Sequence, residues 1–245
     1  MMDEVLGKIA DSEYSNAAEL FGLDGDEAGE ELLGAIKKMP LLKRAKVLKN
    51  LFKPSPGSKG SRAEMEKFMV ELPDHIKQGL GSNKLKFADH TVYSIKAVNG
   101  AKTIKMFEPQ DVKEVGLTNI SNGRLPKNSA LLVSGIFLLQ GVAATITSKD
   151  DIKSTIFSGI DTVGAFATGE FTLKANKKSI VDSTSNNVFK TSGFNAVPVG
   201  FYKLSNPRLI QDDVDIEMEI DLGTLSGINA NAVLYVGLYG TVTIP

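Results

Sequence analysis

The sequence contains no cysteine, no tryptophan and only two histidines. Without cysteine there are no disulfides and no thiolate metal ligands. That absence leaves the redox compartment open, because a chain without thiols survives in either state. The first residues, MMDEVLGKIADSEYS, lack the basic start and apolar run of an export signal, so none is expected. Long apolar runs are missing too. The most apolar stretch, residues 130–144, is broken by Ser134, Gly135, Gln140 and Gly141. It falls short of the roughly 20 apolar residues that cross a bilayer and reads instead as a buried strand pair. Net charge is nearly absent: Lys and Arg total 28 against 29 Asp and Glu. The total therefore carries no nucleic-acid or membrane signature.

Catalytic motifs are scarce as well. There is no G-x-S-x-G elbow, no Walker A sequence and no dinucleotide-binding fingerprint. His75 and His90 lie in a polar helical stretch and at a strand start, and both read as surface residues. Leu23-Asp24-Gly25-Asp26-Glu27 resembles a calcium loop only faintly, and its spacing lacks the ligands such a loop needs. Helix capping by Asp24 or Asp26 explains it more simply. No enzymatic activity, cofactor or metal is expected.

What is present changes texture near residue 80. Residues 1–31 are acidic, with Lys8 the one basic residue. Residues 37–62 carry lysine and arginine and no acid. Leu41, Ala45, Leu48 and Phe52 recur at helical spacing, with Lys43, Arg44, Lys46, Lys49 and Lys53 among them, which predicts an amphipathic helix of about three turns. Residues 54–60 read as a linker, and Ser61 with Glu64 as a capping box whose helix stops before Pro73. Gly79 and Gly81 close the helical part. The helical arm is thus assigned to residues 1–82 and a β domain to residues 83–245.

From Lys84 the period shortens to two. Strands are predicted at 92–98, 103–107, 130–140, 143–147, 166–175, 187–190, 199–204, 214–222 and 232–244. Asn122-Gly123, Asn176 and Asn206-Pro207 read as turns between them. Many strands without long intervening helices predict a mainly β chain, a sandwich or barrel. One strand singles itself out. Asp213, Asp215, Glu217, Glu219 and Asp221 alternate with Val214, Ile216, Met218, Ile220 and Leu222. Its acidic face is read first as a solvated surface. The functional alternative is an intersubunit surface or a cation-recruiting one, since carboxylates two apart repel unless neutralised. A glycosidase pair is a third reading, for which neighbouring aromatics are missing.

The basic helix also has three readings: docking on the β domain with solvated lysines, contact with nucleic-acid phosphates, or an anionic membrane surface.

The stretches 169–176, 180–182 and 187–189 read as two strands and a turn. Residues 200–207 then lead through Arg208-Leu209-Ile210 into the acidic strand, and a long apolar strand, 231–240, follows. Residues 125–135 resemble the entry to a central strand. This succession resembles single jelly-roll coat proteins of small icosahedral bacteriophages. The resemblance implies an eight-stranded jelly-roll sandwich preceded by an α-helical N-terminal arm. It implies a capsid subunit that self-assembles into an icosahedral shell in the host cytoplasm and ends in the virion. Its partners would be copies of itself and other virion proteins, with genome or internal membrane meeting residues 37–62. The alternative is a virion spike or decoration domain, or a glycan-binding β-sandwich module.

Overall fold

The computed structural model describes residues 65–192 and 197–245. The basic helix, the linker and the acidic segment before them lie outside the described residues. Among the described residues the chain is mainly β. Residues 65–67 are helical and Met69–Glu71 form a 3-10 turn. Three short helices follow, α1 (Asp74–Gly81), α2 (Lys149–Lys153) and α3 (Gly164–Ala167). Among the described residues there are nine strands: β1 (Lys86–Ala97), β2 (Thr103–Lys105), β3 (Leu131–Val142), β4 (Phe157–Ser158), β5 (Glu170–Ala175), β6 (Lys178–Ser185), β7 (Phe201–Ile210), β8 (Ile216–Asp221) and β9 (Ala232–Ile244).

They form two sheets. One has the order β1-β9-β3-β4, with β7 also paired to β3. The other has the order β2-β8-β5-β6. Every strand pair whose register is resolved is antiparallel. The burial patterns explain the sequence patterns. β3 and β9 are central strands and bury residues on both faces, so they read as nearly continuous apolar runs. β5 and β8 alternate instead. Phe171, Leu173, Ile216, Met218 and Ile220 point into the core, while Glu170, Glu217 and Asp221 are exposed. The two sheets meet through aromatic rings: Tyr202 of β7 lies edge-on to Phe171 of β5 and to Phe189, at 6.2 and 5.9 Å.

The chain divides into two compact units. The first holds the described residues up to Ala88, with Asn128–Ala130 and Thr241–Pro245. There Met65, Leu72, Ile76 and Leu85 are buried, and α1 ends where the Leu85 amide donates to the Gly79 carbonyl. The Thr243 hydroxyl donates to Asn128 and accepts from the Ala130 amide, both at 2.8 Å. The second unit holds Asp89–Lys127 and Leu131–Gly240.

Several expectations need correction. Residues 130–144 are not a strand pair, because β3 runs unbroken to Val142 and no strand follows at 143–147. Gly141 makes no turn. It lies opposite Phe157, and a Cβ there would stand 2.7 Å from the Ile156 carbonyl oxygen, so glycine admits β4 to the sheet. Residues 187–190 are not a strand either; Asn186–Phe189 form a 3-10 turn that buries Phe189. The strand expected from 166 starts at Glu170, after α3. Asn206-Pro207 lies inside β7, where the register jumps between Val133↔Arg208 and Gly135↔Lys203. The irregularity leaves Pro207 out of the regular ladder, which its missing N–H requires. Strand β6 was not among the nine periodic candidates, and neither was β4.

Candidate functional site

The acidic strand is β8, and the structure gives its carboxylates partners within its own sheet. Glu217 lies opposite Lys174 of β5. Glu219 lies opposite Thr172 on one side and Lys105 on the other, and the Lys105 ammonium approaches it to 3.5 Å. Asp221 faces Glu170 across the ladder, a like-charge pair. Hydroxyls relieve it: Thr103 donates to Asp221 at 2.6 Å, and Ser183 donates to Glu170. Asp213 and Asp215 lie before β8 and flank Arg124, whose guanidinium contacts them at 3.6 and 2.6 Å. Both carboxylates hold the Arg124 pKa above its ordinary value, Asp215 more strongly. The strand is thus one apolar wall and one exposed face of charges and hydroxyls. Among the described residues no three His, Asp or Glu side chains gather to hold a metal ion.

Next to Arg124 an open groove of about 560 Å³ is lined by Lys113, Asn122, Lys127 and Asp213, among others. His90 stands near this region. Its pKa is lowered, first by burial and then by the charge of Lys113. Its ring lies 3.3 Å from the Asn119 amide, so it is held in a strand-edge network. His75 sits in α1. The residues Lys43, Arg44, Lys46, Lys49 and Lys53 lie outside the described residues.

The opposite sheet carries a feature the sequence does not announce. Half-buried rings line one face: Tyr93, Tyr235 and Phe157 form one run, and Phe137, Phe201 and Tyr239 another. Residues 149–158 cross this face as a strap. At one end α2 is held by Glu114, which receives Lys149 and Lys153, each at 2.8 Å. Glu114 belongs to the segment that lines the edge of β1, where Ser94 bridges Thr118. At the other end β4 pairs with Gln140 and Gly141 of β3. Helix α2 forms there because Ser148 caps it, accepting from the Asp151 amide, with Asp150 and Asp151 in its first turn and Lys153 in its last.

The two lysines are four residues apart and so share a helix face. Their hydrogen bonds, Lys149 first and then Lys153, pull the Glu114 carboxyl from 4.5 down to about 2. A carboxylate with a depressed folded-state pKa stabilises above its ordinary value and stops doing so as pH falls through the folded one. The strap clasp is therefore complete above about pH 4.5 and lost towards about pH 2. Hydrogen-exchange protection of residues 149–158 is expected to fall across that window in the native chain. In Glu114→Gln protection is expected to be low throughout and not to change there. Equal profiles in the two proteins would show that the clasp does not hold the strap.

No family model matches the sequence, and the search of curated proteins returned no match.

Proposed function

We propose that this chain is a structural virion protein, a jelly-roll capsid subunit that assembles with copies of itself into a closed icosahedral shell. The observation that carries the reading is the order of strand pairing. With two-residue β4 set aside, eight strands remain. The first pairs with the last (β1–β9), the second with the second-last (β2–β8), and the third with the third-last (β3–β7). The middle two, β5 and β6, pair with each other. A long two-stranded ribbon rolled up on itself would have this pairing, which supports the jelly-roll reading. The roll closes where β9 meets β3 and β8 meets β5.

Fold alone leaves many functions open. The surface favours assembly over a pocket. Ile156, Val142, Val197 and Val199 are exposed near the β3–β4 end, and Val112 and Val115 in the loop after β2. Apolar side chains gain by burial against a neighbour, about 25 cal/mol for each Å² removed from water. Closed symmetry repeats each contact many times, so individually weak contacts suffice. In this reading the helical arm faces inward or bridges subunits, and residues 37–62 meet genome or an internal membrane. Assembly takes place in the host cytoplasm.

Electron microscopy of the purified full chain across salt concentrations tests the reading. Closed particles of uniform diameter are expected. A chain that stays monomeric at every concentration and salt would overturn it.

A further inference from the structure

The loop after β2 is tied down by groups from two distant parts of the chain. Lys96, near the end of β1, holds its start. The Lys96 ammonium pairs with Glu108 at 3.0 Å and with Asp111, and none of the three side chains is more than 29% exposed. Asp111 extends the tie. Its carboxylate accepts from the Glu108 amide at 2.9 Å, and its carbonyl accepts from the Asn122 amide at 2.7 Å. The middle of the loop then lies along the outer edge of β1. The Asn119 side chain accepts from the Tyr93 amide at 2.9 Å, the Thr118 hydroxyl donates to the Tyr93 carbonyl at 3.0 Å, and the Ile95 amide donates to the Leu117 carbonyl at 2.7 Å. Backbone groups that an edge strand would leave unpaired are satisfied by this cover.

The same loop carries the strap. Glu114 receives both lysines of α2, and the Lys153 stem runs so close over Gly116 that a Cβ there would stand 2.9 Å from its Cγ. At the strap's other end the Phe157 ring lies 5.7 Å from Tyr235, which stacks on Tyr93 at 6.0 Å. Tyr93 is thereby reached by both segments. The loop holds its amide and carbonyl and donates the Gly116 amide to its hydroxyl at 3.2 Å, while the strap bears on it through Tyr235.

We propose that residues 108–119 and 149–158 form one gate, locked by Lys96, which opens as a unit and uncovers the outer edge of β1 together with the Tyr93–Tyr235 rings. Segments that share their anchors open cooperatively. When the loop leaves β1, Glu114 moves away from both lysines and the strap loses its clasp. When the strap leaves, Glu114 loses both counter-charges and Gly116 loses the Lys153 stem that covers it. Such coupling is reciprocal, so each segment is stabilised by the other's tie. The inference stands apart from the capsid reading and does not depend on it.

Hydrogen exchange of the full chain tests it, followed separately in residues 114–119, in residues 149–158 and, as a reference for the whole fold, in β5. Lys96 pairs with Glu108 and Asp111, so Lys96→Met removes a tie outside the strap. It is expected to speed exchange about 10-fold or more in both segments, the size that losing hydrogen bonds to a charged group implies. Should β5 speed up as well, the whole fold has loosened, and a double variant, Lys149→Ala with Lys153→Ala, decides. It breaks the clasp from the strap side and is expected to speed exchange in 114–119 as well as in 149–158. Faster exchange confined to 114–119 in a folded Lys96→Met, or confined to 149–158 in the double variant, overturns the shared gate.

Discussion

Gly240→Ala is expected to destabilise the fold by about 3 kcal/mol or more, the upper end of what overpacking costs. Gly240 lies in β9 beside β3, the two strands at the centre of their sheet. A Cβ placed on it would stand 1.7 Å from the Leu132 carbonyl oxygen, 2.8 Å from its carbon and 3.3 Å from the Ser134 amide nitrogen. These are backbone atoms of a buried strand, so no side-chain rotation relieves the clash. The two strands must separate, which weakens the ladder and opens the core beneath. Gly223→Ala serves as the control, because nothing lies within 4 Å of its Cβ position. It is expected to change stability by no more than about 0.5 kcal/mol. For a domain of this size the Gly240 variant should melt roughly 10 °C lower. Equal melting temperatures for the two variants would contradict the close approach of β9 to β3.

Phe171→Ala is expected to cost about 3–5 kcal/mol. Phe171 is fully buried and its ring centre lies 4.9 Å from that of Phe189 and 6.2 Å from that of Tyr202. Tyr202 belongs to the other sheet, so removing the Phe171 ring leaves a cavity on the contact between the sheets as well as within one of them. Against a total stability of about 5–15 kcal/mol, this loss decides whether the protein stays folded near 37 °C. Phe171→Leu restores most of the buried apolar volume and is expected to cost about 1.5 kcal/mol. Urea denaturation of the two variants checks both the size and the order. A Phe171→Ala variant no less stable than Phe171→Leu would show that the rings do not join the sheets.

The acidic strand shows how far the sequence reaches into the candidate surface. Alternation alone assigns Ile216, Met218 and Ile220 to the core and Glu217, Glu219 and Asp221 to the other face, and the burial agrees. The solvated-face reading follows from the same period. What alternation does not reveal is which groups neutralise the carboxylates. Lys105 and Thr103 arrive from more than a hundred residues earlier, and Arg124 from the loop before β3. The Glu114 clasp is a similar case. Lys149 and Lys153 are visible as a helical pair, but the acid between them is 35 residues upstream of Lys149.

Local chemistry by itself determined the strands with strong patterns. The apolar runs at 131–142 and 232–244 and the alternation at 216–221 specify extended backbone wherever they are placed. Asn176, which with Lys177 adopts positive φ between β5 and β6, specifies its turn in the same way. Tertiary structure alone decided the rest. Residues 187–189 look extended in isolation, yet the pocket beside Phe171 and Tyr202 needs one anchored ring, Phe189, and a tight 3-10 turn delivers it. Asn206-Pro207 looks like a turn, yet β3 supplies enough hydrogen bonds on both sides of the irregularity to keep β7 in the sheet. Propensity and period act over a few residues, whereas strand order and register depend on which distant segments complement each other's buried faces, and that is settled only when the whole core closes.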